Sequence, residues 1–130
     1  MSDPLQVEMV AADRVVWSGE ATMVSARTAE GDIGILSNHA PILSVMVPWP
    51  VEIRPVEGSR VWAAVGQGFL SVARNRVSIL AEYIQLADDI DTAVAQHELE
   101  EAQQADRSDP DVKHAIQYAE ARIRTAELAH

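Results

Sequence analysis

Glu30, Asp32 and His39 are the residues whose types could, if brought together, move a proton: two carboxylates beside an imidazole that titrates near neutral pH. Gly31, Gly34 and Pro41 are interleaved with them, and that density of turn formers predicts a structured loop rather than an acid–base centre. His97-Glu98 opens as a zinc-protease helix does, but the second histidine would fall on Glu101. Gly66-Gln67-Gly68 opens as a dinucleotide loop does, but the third glycine would fall on Ser71, and Phe69-Leu70-Ser71-Val72 continues as a strand. The chain contains no Gly-x-Ser-x-Gly elbow and no cysteine, which excludes thiol catalysis, disulfides and thiolate zinc. No catalytic residue, metal site or cofactor is therefore expected. A binding or coupling module is the reading that remains.

The elements that would position these residues fall into two parts. All six glycines and five of the six prolines precede residue 87, and turn residues so dense imply short elements. Leu5 to Val10 alternates apolar and polar residues, the period of a half-buried strand. Arg14 to Trp17, Ala21 to Ala26, Ile42 to Val47, Val51 to Val56, Arg60 to Val65, Phe69 to Ala73 and Val77 to Ala81 read as further strands. Turns are expected at Asp13, Ser18-Gly19-Glu20, Glu57-Gly58-Ser59 and Arg74-Asn75-Arg76, and Pro48 and Pro50 suit a sheet edge or corner. From Asp88 onward glycine disappears, and Ala and Glu dominate. Helices are expected from Asp91 to Ala105 and from about Pro110 to Leu128, the second capped by Ser108 or Asp109 with Pro110 at its first position. Ala95, Leu99 and Ala102 would face Val112, Ala115, Ala119, Ile123 and Ala126 across a seam of small residues. The fold class is thus α+β: an antiparallel β-sandwich over residues 1–87, then a two-helix antiparallel hairpin over 88–130.

The chain has 130 residues and a formal net charge of −10, of which the hairpin carries −7. A surface so acidic repels phosphate backbones, so nucleic acid is not expected as a partner. Met1-Ser2-Asp3-Pro4 lacks the character of a secretory or transit leader, and no apolar run approaches the length of a bilayer span. A thin seam in a self-repelling hairpin also makes that segment a candidate for movement.

Glu30-Gly31-Asp32-Ile33-Gly34-Ile35-Leu36-Ser37-Asn38-His39-Ala40-Pro41-Ile42-Leu43 resembles the signature segment of the epsilon subunit of F-type ATP synthases. That segment reads acidic-Gly-acidic-x-Gly-Ile and later His-Ala-Pro with two aliphatics. Val7 to Val10 with Trp17-Ser18-Gly19 resembles the family's first hairpin. Gly66 to Val72 resembles a later strand, and Val77 to Glu82 with Ile90-Asp91 resembles the junction into the helices. The resemblance implies a non-catalytic rotor subunit at the foot of the central stalk, coupling proton-driven rotation to ATP synthesis. It implies the gamma subunit and the c-ring as partners, contacts to the alpha and beta subunits through the helices, and a peripheral position on the cytoplasmic face of a bacterial plasma membrane. It places Glu30, Gly31, Asp32, Ser37, Asn38, His39, Ala40 and Pro41 at the c-ring and gamma interface. Asp91, Arg107, Lys113, Arg122 and Arg124 are the candidate regulatory contacts, through which the hairpin would inhibit ATP hydrolysis.

Two positions depart from the family's pattern. Ser37-Asn38 replaces a common Pro-Gly, and asparagine tolerates the left-handed backbone nearly as glycine does. Family members that bind ATP carry Ile/Leu-Asp-x-x-Arg-Ala, whereas this chain has Ile90-Asp91-Thr92-Ala93-Val94-Ala95, with Val94 in the arginine position. Valine cannot supply the bidentate contact to phosphate that a guanidinium makes, which makes a nucleotide-responsive module the weaker alternative. Calorimetric titration with ATP is expected to show weak or no binding, and a dissociation constant in the micromolar range would overturn this expectation.

Overall fold

Period-two patterning sets the first layer. In the computed structural model, which describes residues 3–130, β1 (Leu5–Ala11) buries Leu5, Val7, Met9 and Ala11 and turns Gln6 and Glu8 outward. Met1 and Ser2, part of the terminus judged to lack a leader, lie outside the described residues. β2 (Arg14–Thr28), β3 (Gly31–Leu36), β4 (Ile42–Met46), β5 (Trp49–Pro55), β6 (Val61–Val65), β7 (Gly68–Ala73), β8 (Arg76–Ala81) and β9 (Ile84–Leu86) follow. A 3-10 turn at Ala87–Asp89 then leads into α1 (Thr92–Gln103) and α2 (Pro110–Ala129).

β2 joins the layers. Its first half pairs with β1, from Leu5↔Ala21 to Ala11↔Arg14, and its second half pairs with β3 on one side and β5 on the other. β1 also pairs with β8, and β8–β7–β4 returns to β2 through Thr28↔Met46, so this part of the sheet closes on itself. β5–β6–β9 extends beyond it. Inside sits one apolar cluster in which Leu5, Met9, Val24, Ile53, Leu70 and Ile79 are wholly buried. A side chain of this size contributes about 1.5–3 kcal/mol when fully buried, so this cluster is the main source of stability.

Four details differ from the sequence reading. The β1–β8 pair is parallel. Ser18-Gly19-Glu20 does not turn but continues β2; Gly19 is there because an added Cβ would come within 2.9 Å of the Trp17 indole. Residues 31–36 form a strand rather than a loop, because every one of them pairs with β2. Ile84–Leu86 adds a short strand on β6.

The helices follow their caps. Asp91 accepts from the N–H groups of Ala93 and Val94, and Asp109 from that of Asp111, with Pro110 in the first turn of α2. α2 lies on β5 and β6, while α1 packs chiefly against α2, so the hairpin is folded onto the sandwich with α1 outermost. Ala95, Ala119 and Ala126 of the expected seam are buried, but Ala115 is exposed. Ala121, Arg122 and Thr125 are buried as well, adding a second buried stripe to α2. No helix among the described residues is long and apolar enough to cross a membrane.

Gly68 opens β7 where the β8 backbone crosses closest. A Cβ there would sit 2.0 Å from the Leu80 carbonyl oxygen and 2.8 Å from the Ala81 Cβ. Gly68→Ala is therefore expected to lower stability to urea by about 3 kcal/mol through forced backbone displacement. A loss below about 1 kcal/mol would show that β7 and β8 can separate freely.

Candidate functional site

The residues from Glu30 to Pro41 form two sites, one at each end of β3. At about 3.3 Å per residue, the strand separates them by roughly 20 Å. Glu30, Gly31 and Asp32 lie at the β2–β3 turn. There the Thr28 hydroxyl donates to the Gly31 carbonyl at 3.0 Å and accepts from the Glu30 N–H at 3.2 Å. Arg27 and Asp32 face each other across the hairpin, and Arg27 Nε donates to Asp32 Oδ1 at 2.6 Å, with Nη2 at 3.3 Å from Oδ2. That hydrogen bond, aided by the guanidinium charge, holds the Asp32 carboxyl below its ordinary value of 3.8. Glu30 projects into solvent beside it. The turn therefore presents one free carboxylate and one paired one.

The opposite end carries Ser37, Asn38, His39, Ala40 and Pro41. Asn38 has φ 67°, the left-handed backbone that glycine would otherwise supply. Its N–H donates to Asn75 Oδ1 at 2.6 Å, and the Asn75 carbonyl accepts from the Gln6 N–H at 2.7 Å. Asn75 thus fastens this turn to the β7–β8 turn and to β1, a role hidden in the sequence because it depends on three distant segments meeting. His39 Nδ1 lies 2.7 Å from the Ala40 carbonyl oxygen, so it carries the proton and donates. His39 and the Glu30/Asp32 carboxylates are held apart by the whole of β3, so they form no acid–base centre.

The candidate regulatory residues also divide. Asp91 is occupied as the cap of α1. Arg107 and Lys113 are exposed. Arg122 is only 7% exposed, pairs with Glu98 of α1 and lies over the Tyr118 ring, so in the docked hairpin it is not available as an outward contact. Arg124 lies 4.9 Å from the centre of the Trp49 ring, whose other guanidinium neighbour is Arg27 at 3.5 Å.

Between hairpin and sandwich runs a cleft of about 970 Å³, lined by Arg14, Gln85, Tyr118 and Arg122 among others. Tyr118 stacks at a tilt on Tyr83 with ring centres 5.8 Å apart, and burial pushes its phenol up to about 12. Asp13, Glu82, Glu98 and Asp111 outnumber Arg14 and Arg122 on the cleft walls, a balance that disfavours a polyphosphate. Among the described residues no group of three or more His, Cys, Asp or Glu could hold a metal ion.

A further feature escaped the sequence reading. Val45 pairs with Phe69, Phe69 with Leu80, Leu80 with Val10, and Val10 with Val15. These five apolar side chains form one row across β4, β7, β8, β1 and β2, and Val15, Val45, Phe69 and Leu80 are 42–54% exposed. Leu43, 76% exposed, extends the patch. Paired residues of a sheet lie about 5 Å apart, so this is a contiguous surface and not scattered apolar residues. Only register, which composition does not reveal, brings them together.

Residues 4–87 match a family model described as the beta-sandwich domain of the ATP synthase delta/epsilon chain. The ATP synthase epsilon chain of Streptomyces griseus subsp. griseus is 50% identical over 128 residues, spanning 98% of this chain and 99% of that one. That of Streptomyces avermitilis is 55% identical over 102 residues, 78% of this chain and 82% of its own. Among solved structures, a chain of the Euglena gracilis mitochondrial ATP synthase OSCP/F1/c-ring assembly superposes with a TM-score of 0.76 at 21% identity, covering 97% of this chain and 81% of that one. At such identity the likeness is one of fold.

The Asp32–Arg27 pair has a definite acid signature. Because the folded pKa is depressed, the pair's contribution is present above the unfolded carboxylate pKa and is lost as pH falls through the lower folded value. Carboxyl NMR titration is expected to place Asp32 below 3.8 and to return it to the ordinary range in Arg27→Gln. An unchanged titration in that variant would remove Arg27 as the cause.

Proposed function

This chain belongs to the ATP synthase epsilon chain family, and from that membership we propose that it is a non-catalytic rotor subunit of the central stalk, coupling proton-driven c-ring rotation to ATP synthesis. The observation that carries the reading is the match to epsilon chains along almost the whole length, hairpin included. The apolar row Val45–Phe69–Leu80–Val10–Val15 supports it. A chain of net charge −10 that nonetheless exposes a continuous apolar ribbon is equipped for a permanent partner. We assign that face to the gamma subunit. The acidic turn Glu30-Gly31-Asp32 lies at one end of β3 and presents carboxylates suited to basic or polar loops of the c-ring. Single exposed pairs of this kind contribute about 0–1 kcal/mol, so the apolar face supplies most of the affinity and the turn supplies orientation.

The subunit works in this reading as a rigid spacer: the closed sheet transmits torque and no residue performs chemistry. Ser37 to Pro41, fixed by Asn75, keeps its turn in one shape. The hairpin is a separate element whose exposed bases, Arg107 and Lys113, are placed to meet the acidic surfaces of the alpha and beta subunits when it leaves the sandwich, and so to restrain ATP hydrolysis. The complex would lie on the cytoplasmic face of a bacterial plasma membrane, held there by its partners. A nucleotide-responsive role has less support, since Val94 is an exposed apolar residue at the start of α1 and the adjoining cleft is net acidic.

Mild-detergent capture of the tagged chain from its own cells tests the assignment. Gamma, c-ring, alpha and beta subunits are expected in the eluate, and Phe69→Asp is expected to reduce recovery of gamma at least about tenfold, as loss of a central aromatic contact does. Deleting residues 88–130 is expected to retain gamma and to raise ATP hydrolysis by the assembled enzyme. Recovery of the chain alone from cells with intact ATP synthase would refute the role.

A further inference from the structure

Arg27, Trp49 and Arg124 link the acidic β2–β3 turn to the helical hairpin. Arg27 belongs to β2 and grips Asp32 at the tip of the β2–β3 turn. Trp49 starts β5, and Arg124 comes from the last two turns of α2. Both guanidiniums lie against the one indole, at 3.5 and 4.9 Å from its centre. They line a groove of about 560 Å³, with Gln96 and Leu99 of α1 on its far wall.

Two like charges on one ring are an unusual arrangement. The ring's negative face attracts each guanidinium, but they are no further apart than roughly a Debye length of 8–10 Å, so they also repel. Asp32 resolves the conflict from one side by neutralising Arg27 through two hydrogen bonds. From the other side, Glu120 and Glu127 line the same groove, one helical turn before and after Arg124. Remove Asp32 from Arg27, and the uncompensated charge opposes the docked position of Arg124.

We infer that the Arg27–Trp49–Arg124 stack makes docking of the helical hairpin depend on what Asp32 is paired with, so that a cationic group drawing Asp32 away from Arg27 loosens α2 from the sandwich. Which cation does so rests on the rotor reading above, where it is a basic group on a c-ring loop. Engagement of the acidic turn and release of the hairpin are then linked, and the linkage is reciprocal: a hairpin held open weakens the demand on Asp32 at Arg27. The hairpin is suited to such control because the buried positions of α2 are alanine, threonine and one arginine, with Tyr118, stacked on Tyr83, as a further large side chain of α2 set against the sandwich besides Arg124.

Hydrogen exchange in the free full-length chain tests the coupling without any partner. Amides of residues 119–126 are followed in wild type, Asp32→Asn, Arg124→Gln and the double variant. Asp32→Asn is expected to speed their exchange roughly two- to fivefold, the weight of an exposed cation–π contact, while β7 and β8 are unaffected. In the Arg124→Gln background the same change is expected to do nothing further. An equal acceleration in both backgrounds, no acceleration in either, or a uniform acceleration that includes β7 and β8 would overturn the inference. Because no ring or gamma is present, a failed capture experiment leaves this coupling standing, and an uncoupled pair leaves the rotor reading standing.

Discussion

Everything in this molecule hangs on a single uninterrupted β2. Its fifteen residues pair with β1, β3, β4 and β5 in turn, so it is at once the wall of the closed part of the sheet and the root of the open part. A strand that long must curve, and the register slips between Met9 and Val10 on its partner and between Ala21 and Met23 on itself are where it does so. Gly19 lets Trp17 lie along the strand at the start of that bend. Both candidate contact turns depend on it too, because among the described residues β3 pairs with no strand but β2, which sets the positions of Asp32 and, together with Asn75, of Asn38.

What could be read from the residues alone was whatever local chemistry dictates. Alternation revealed most of the strands, and the helices are legible to within a few residues: α1 from the loss of glycine after residue 87 and its start at Asp91, α2 from the cap at Ser108 or Asp109 and from Pro110, which act on their own neighbours. Residues 31–36 do not read as a strand because Gly31, Asp32 and Gly34 are poor strand formers; cross-strand pairing with β2 overrides that preference. Ser18-Gly19-Glu20 looks like a turn in the sequence because glycine marks both turns and close approaches, and composition does not distinguish the two. At the candidate site the acids and His39 were legible as types. Their partners were not: Arg27, Trp49 and Asn75 owe their roles to register across strands and to a helix returning from far along the chain.

The hairpin shows how weak packing and specific contacts divide the work. Its buried positions are mostly small, so close approach of α2 to β5 and β6 comes at the expense of apolar area. Orientation is left to a few larger groups: Tyr118 on Tyr83, Arg122 with Glu98, and Arg124 on Trp49. Such an interface is definite in geometry yet modest in strength. The sandwich, with its wholly buried Leu, Ile, Met and Val side chains, has the opposite character, and the two parts need not respond together to the same perturbation.

The layering of the helices runs against their order in the chain. α1, joined directly to the sandwich, is the outer helix, and α2, reached only through α1, is the inner one. Shortening from the α2 end would strip away the inner layer first and leave α1 covering nothing. The hairpin cannot therefore be trimmed by degrees from that end. Changes in its length are tolerable mainly at the tip, around Asp106 to Ser108, where both helices could grow or shrink by matching turns. Insertions and deletions among relatives should thus gather at that bend, and variants lacking the hairpin should lack all of it.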